Sequence, residues 1–255
     1  PMHAPLNPTV RAEWRGLADL GNAVEAWHAL AARALEPNVF YEPAFSQAAA
    51  PVFGRDAGAT LVWSGHRLVG LFPGRIERRG PLTRLVGWTH RFAPLGTPLV
   101  DRDEAEAAIG AWLDQLASDA SMPGLVLLPL VPEQGPFAAL LQAALACGGR
   151  ASATFSPHRR ALLAPGAERA NYVARAVSTG RRKELRRQRR RLEDIAPVTF
   201  KSVTALAEIE AALKDFMALE ASGWKGATGT AAVDDPAVRD FMRAAERDAD
   251  VRSRI

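Results

Sequence analysis

Three apolar strand candidates crowd into one stretch of the chain: Thr60 to Trp63, Arg67 to Glu77 and Leu85 to Trp88, the first two separated only by Ser64-Gly65-His66. A glycine-bearing link that short joins antiparallel neighbours, because a parallel pair needs a crossover of about a dozen residues or more. An antiparallel meander is therefore expected here. Upstream, Leu17, Leu20, Val24, Trp27, Leu30 and Ala31 recur at three- and four-residue spacing, which predicts a helix from Leu17 to Leu35 that ends before Pro37. Asn38 to Phe45 starts a second, shorter one. Downstream come a loop from Thr89 to Arg102, a helix from Glu104 to Ala117, a buried strand from Leu125 to Val131, and a helix from Phe137 to Ala146 that stops at Gly148-Gly149. Leu162 and Leu163 suggest one more strand. This order predicts an α/β (α+β) domain with a mixed sheet over residues 1–165, bounded by Pro165-Gly166.

Beyond residue 165 the pattern starts again. Helices are expected from Asn171 to Asp194, Ala205 to Ala221 and Asp235 to Asp248, with a strand from Pro197 to Ser202 and a further segment from Val251 to Ile255. Three helices and one complete strand make no sheet of their own. Residues 166–255 therefore read as the N-terminal part of a second unit, and the natural protein is expected to continue past Ile255.

With 48% hydrophobic and 24% charged residues the chain has the composition of a folded protein. No apolar stretch approaches the roughly 18 to 20 residues needed to cross a bilayer, and no basic-then-apolar leader opens the sequence, so a cytoplasmic location without a membrane span is expected. The single cysteine, Cys147, cannot form an internal disulfide or a cysteine-based zinc site, and its place in an apolar helix pattern predicts burial. Arginine far outnumbers lysine beside abundant alanine, a bias that reads as codon usage. What composition does not produce is the clustering of eight basic residues between positions 181 and 191.

Ser178 fits as the N-cap of that basic helix, and Val173, Val177, Leu185 and Leu192 give it a narrow apolar stripe. Arg181, Arg182 and Lys183 then fall in the first turn, where the helix dipole favours acidic residues by roughly 0.3 to 1 kcal/mol each. A sequence that breaks this rule can be serving an anion, since free N–H groups and guanidinium forks together make a phosphate site, and Gly180 permits close backbone approach. The alternative is a solvated helix face with Glu184, Glu193 and Asp194 pairing locally.

In the next helix Leu206, Ile209, Leu213, Phe216 and Met217 recur with helical period, and Glu220 takes the following place on that stripe. A carboxylate there must be paired or protonated: burial would raise its pKa and Lys225 or an arginine would lower it. It reads either as an acid, base or anchor, or as a half-exposed helix-end group bonded to the Trp224 indole or to loop amides. Gly223 is the expected C-cap, turning Trp224 back onto the helix as a core plug or a substrate wall. The glycines of Gly223-Trp224-Lys225-Gly226-Ala227-Thr228-Gly229 lack the terminal Gly-Lys-Ser/Thr of a phosphate-binding loop, the dinucleotide fingerprint is missing, no Gly-x-Ser-x-Gly elbow exists, and the five histidines show no metal spacing. His90, in the loop after Trp88, is the one histidine placed where a pocket is expected.

Asn38 to Phe45, Leu68-Val69-Gly70-Leu71-Phe72-Pro73, Pro98-Leu99-Val100-Asp101, Ser178 to Leu192 and Leu219-Glu220-Ala221-Ser222-Gly223-Trp224-Lys225-Gly226 together resemble the tandem-GNAT acyltransferases of the CelD-like (cellulose-biosynthesis) group, relatives of the Fem-type peptidoglycan aminoacyl transferases. The resemblance runs in order over most of the chain. It implies two GNAT-like mixed sheets flanked by helices, acetyl-CoA or another acyl-CoA as donor, no metal, and direct attack of an amine on the thioester. The acceptor it implies is a small molecule, phosphorylated or sugar-linked, such as an envelope or polysaccharide precursor. By the same resemblance Arg182, with Arg181 as alternate, contacts acceptor phosphate. The residues themselves offer Lys183, Trp224 and Lys225 as further candidate substrate-binding groups and Glu220 and His90 as the candidate catalytic groups. The Arg/Gln-x-x-Gly-x-Gly/Ala pyrophosphate loop of ordinary GNAT enzymes is not found. Two other readings follow from the same residues: a Fem-type transferase using aminoacyl-tRNA, and a non-catalytic nucleic-acid-binding or scaffold protein. The absence of any aromatic residue from Arg181 to Leu192 counts against nucleic acid.

Overall fold

The computed structural model describes residues 10–161 and 171–247. The chain divides into two compact units, one of Pro1–Ser152 with Thr204–Ile255 and one of Ala153–Val203. The expected boundary at Pro165-Gly166, the strand at Leu162-Leu163 and the segment Val251 to Ile255 lie outside the described residues.

The first unit is a mixed α/β structure. Its sheet contains β1 (Val10–Gly16), β2 (Ala57–Ser64), β3 (Arg67–Arg79), β4 (Leu82–Gly87), β5 (Leu99–Val100) and β6 (Val126–Leu127). The order is β1-β2-β3-β4-β6, and β5 pairs with β3 beside β4; all pairs are antiparallel except β4 with β6. The expected hairpin is present: Gly65 sits at φ +60 between β2 and β3, a backbone region that suits glycine. The apolar run Leu68 to Phe72 is accommodated by a bulge. Val62 pairs with Gly70 and Trp63 with Leu68, so Val69 is the extra residue, and side chains on either side of it change face. Leu68 and Leu71 consequently join one core layer while Val69 and Phe72 join the other.

Those two layers are covered by helices. On one face lie α1 (Val24–Ala32), α2 (Pro43–Phe53) and α9 (Pro236–Arg247), burying Trp27, Leu30, Tyr41, Phe45, Leu61, Trp88 and Phe241. On the other lie α3 (Ala105–Ser118) and α4 (Pro136–Cys147), burying Ile109, Trp112 and Phe137, with Phe72 stacked on Trp112 at 4.5 Å. Burial of each large side chain of this kind is worth about 1.5 to 3 kcal/mol. The unit is completed by α7 (Leu206–Ser222) and the single turn α8 (Trp224–Ala227). The second unit contains α5 (Tyr172–Ala176) and α6 (Thr179–Glu193).

Several expectations need correction. The first helix begins at Val24, because residues 17–23 form two short 3-10 turns. The buried strand expected from Leu125 to Val131 shrinks to the half-buried Val126–Leu127, where Pro129 and the positive φ of Leu130 end it. Pro197 to Ser202 is not a strand; Phe200 there is 83% exposed. Cys147 is exposed, since it lies at the solvent end of α4. No described helix is long and apolar enough to cross a membrane.

Candidate functional site

The start of α6 is built by Ser178. Its backbone is extended (φ −56, ψ 151) and its hydroxyl accepts a hydrogen bond from the Arg181 amide at 3.3 Å. Because Val177 is also extended, the long helix expected from Asn171 breaks here; Arg181 and Arg182 do fall in a first turn that holds no acidic residue, while Lys183 opens the second turn. The three cations differ in what they do. Arg182 donates to the Ala174 carbonyl at 2.7 Å and to the Thr179 hydroxyl at 3.2 Å, fastening the corner between α5 and α6. Arg181 and Lys183 are exposed and make no ion pair among the described residues. A Cβ on Gly180 would meet nothing within 4 Å, so the space before this helix end is open. Farther along, Arg187 pairs with Glu184 and Arg189 with Glu193, as local pairing predicts.

In the first unit, Glu220 holds the end of α7. One carboxylate oxygen takes a hydrogen bond from the Lys225 ammonium and the other accepts from the Ala232 amide at 2.8 Å, leaving the side chain 10% exposed. The Lys225 hydrogen bond, followed by that from the Ala232 amide, holds its carboxyl below the ordinary value. Both oxygens are engaged and the group is a weak base. The carboxylate is paired, through a loop amide and not the indole. Gly226 is needed for close approach: a Cβ there would lie 1.7 Å from the Ala221 carbonyl oxygen, so α8 packs its backbone directly on α7. Gly223 is extended (φ −97, ψ −161), which sends Trp224 outward instead of back onto α7. Its indole is 72% exposed, so it is not a core plug.

His90 lies among aromatic rings. Phe53 stacks on it at 4.3 Å, Phe45 at 6.2 Å, Trp88 is tilted at 5.4 Å, and Phe241 meets it edge-on at 6.3 Å. Nδ1 accepts from the Phe92 amide at 3.3 Å, which places the proton of the neutral ring on Nε2, a buried atom without a partner in the structure. Burial, with the charge of Arg91, pushes its pKa down to about 4. The ring is neutral at pH 7 and poorly suited to take a proton. The loop carrying it is fastened by Asn38, whose amide donates to the Leu95 and Thr97 carbonyls at 3.2 and 2.8 Å, and by the Tyr41 hydroxyl on the Trp88 carbonyl at 2.5 Å.

The fold brings His90 and Glu220 to the same short segment. Arg91 donates to Asp235 at 3.1 Å, and Asp235 caps α9 by accepting from the Ala237 amide at 3.0 Å; three residues earlier, Ala232 is held by Glu220. Asp235, Arg91 and Asn38 escaped the sequence reading. Only Asp235 carried a signal, as an Asp immediately before the proline that opens a helix.

The approach to the first unit's α3 is acidic. In the turn before it, Asp101, fully buried, accepts from the Asp103 amide at 3.0 Å and is held by Arg33 and Arg67. Burial raises the Asp101 pKa, but hydrogen bonds from Arg33, the Asp103 amide and Arg67 outweigh it and keep the group ionised. Glu104 and Glu106 beside it add further negative charge. A groove of about 490 Å³ between β1 and α3, lined by Val10, Ala12, Gly110 and Asp114 among others, touches none of the expected site residues. Among the described residues no group of three His, Cys, Asp or Glu side chains could hold a metal ion.

The segment holding α6, the Glu220 clamp and α9 is also the one that comparison with known families singles out. Residues 179–254 match the acetyltransferase (GNAT) domain. The mixed sheet flanked by helices is consistent with that fold. No curated protein matches the chain. Among solved structures, a ribosomal-protein-alanine N-acetyltransferase from Brucella melitensis biovar Abortus 2308 is 17% identical, with 60% of this chain and 100% of that one covered, at a TM-score of 0.34. Similarity that loose fixes no residue correspondences.

Proposed function

We propose that the protein is an N-acyltransferase that moves an acyl group from acetyl-CoA or another acyl-CoA to an amine, on a small acceptor that carries phosphate, such as a sugar-linked envelope or polysaccharide precursor. The observation that carries this reading is the start of α6, capped by Ser178 and with Arg181 and Lys183 exposed beside it, where the residues matched to an acetyltransferase domain begin. A helix N-terminus with basic side chains suits a phosphoryl group, because backbone N–H groups and guanidinium donors converge on it. On this reading the second GNAT-like unit begins near residue 166, and its helix start anchors the acceptor.

The chemistry asks for an unprotonated amine, whose pKa is about 10 when free, placed against the thioester carbonyl; positioning and hydrogen bonds to the developing oxyanion supply most of such a rate. Glu220 and His90 serve as positioning residues for segment 232–235, since one is an ion-paired weak base and the other a neutral buried ring. Arg181 grips acceptor phosphate and Arg182 keeps the corner that presents it. Isothermal titration of the full chain with acetyl-CoA and with a nucleotide-sugar tests the assignment. Arg181→Ala should weaken the phosphorylated acceptor about tenfold or more and leave donor affinity unchanged. No heat with acetyl-CoA, or equal loss of donor and acceptor, would overturn it.

A further inference from the structure

We propose that the second compact unit docks on the surface of an anionic lipid bilayer through α6, with Leu185, Leu192 and Phe200 entering the headgroup layer and the surrounding arginines meeting lipid phosphates. Charge is the first observation. Residues 153–203 hold thirteen Lys and Arg against four Asp and Glu, a net +9, whereas the rest of the chain nets −5 within a total of +4. Within α6 local carboxylates answer Arg187 and Arg189; Arg181, beside the leucine stripe, has no ion pair among the described residues, and neither have Lys183 and Arg190 on the opposite side of the helix.

Exposed apolar side chains are the second. Leu185 and Leu192, two turns apart on one stripe, are 44% and 53% exposed, and Ile195 just past the helix is 81% exposed. The Arg189 guanidinium lies 5.3 Å from the Phe200 ring, which puts that ring beside the same stripe. At about 100° per residue, Arg181 falls on one side of the leucines and Arg189 on the other, so both can run their methylenes along the apolar side chains and keep their charge at the headgroups. A basic helix with an apolar stripe is the pattern of an interfacial helix.

The aliphatic character of the stripe selects this partner. Nucleic-acid bases stack on aromatic and guanidinium faces and gain nothing from leucine and isoleucine, and a single small phosphate has no use for a stripe two turns long. Lipid offers both a plane of negative charge and an apolar layer beneath it. The proposal goes beyond the transferase reading and does not depend on it, because it concerns vesicle binding alone.

Flotation of the full chain with phosphatidylcholine vesicles, with and without phosphatidylglycerol, is the test. Binding is expected only where phosphatidylglycerol is present, and added salt should weaken it. The charge-neutral variant L185S/L192S should bind at least about tenfold more weakly while unfolding at the wild-type temperature, both leucines being exposed. R181Q/R189Q, which removes the two guanidiniums flanking the stripe and spares the leucines, should weaken the preference for phosphatidylglycerol and keeps the question decidable if the first variant misfolds. Equal binding to both vesicle types, undiminished binding by both variants, or binding to polyuridylate RNA with none to vesicles would each overturn the proposal.

Discussion

Two helix ends carry the residues that most suggest chemistry, and the structure treats them oppositely. At the end of α7, Glu220, Lys225, Gly226 and the Ala232 amide close on one another, leaving both carboxylate oxygens bonded. At the start of α6, Ser178 and Arg182 close the corner while Arg181 and Lys183 remain in solvent. Polar side chains that satisfy each other shape a backbone; polar side chains left over are free to bind. A glutamate on an apolar stripe and a cluster of arginines look equally functional in a sequence, and only their partners separate them.

The largest effect that would sharpen this contrast is at Gly226. Gly226→Val puts carbon where the Ala221 carbonyl already sits, and should destabilise the first unit by about 3 kcal/mol or more in denaturant unfolding, as overpacking and strain do. A wild-type midpoint would mean that α8 does not pack on α7 as described.

His90 comes next. Its folded pKa of about 4 lies below its ordinary 6.5, so between those values the unfolded chain binds more protons. Stability is complete above about pH 6.5, falls as the pH drops toward 4, and the loss is on the order of 2 kcal/mol. His90→Phe should flatten that part of the pH profile; an unchanged slope would remove His90 from the aromatic cluster's energetics.

Glu220→Gln should cost about 1 to 2 kcal/mol, because the Lys225 bond loses its charge while the Ala232 amide keeps an acceptor. Since the Glu220 carboxyl titrates below its ordinary value, wild type should lose the difference as the pH falls through the acidic side of that value, and the two proteins should converge there. Smallest of all, Arg181→Ala should change stability by less than about 0.5 kcal/mol. A larger loss would close the contrast between the two helix ends.

Much of the fold could be read from periodicity. The β2–β3 hairpin was legible because two apolar runs flank a glycine, which tolerates the positive φ of the turn, and α3, α4, α7 and α9 because their apolar residues keep helical spacing. β1 carried a local signal as well, since Val10, Ala12 and Trp14 alternate with Arg11, Glu13 and Arg15, although the sequence reading did not assign it. β5 is two residues long and exists only because β3 offers it an edge, which no local pattern announces. At the site, the Ser178 cap was local and visible. The ties from Asn38 to Leu95 and Thr97, from Arg91 to Asp235, and from Glu220 to Ala232 join segments distant along the chain, so they emerged only from three-dimensional packing.

Phe241 closes an apolar layer whose other aromatic members, Phe45, Phe53 and Phe92, stand about 150 to 200 positions earlier. During synthesis the early half therefore waits on the ribosome with a greasy face bare until α9 emerges. At a translation speed of about 5 to 20 residues per second that interval lasts roughly ten seconds or more, ample time for chaperone capture or premature clumping.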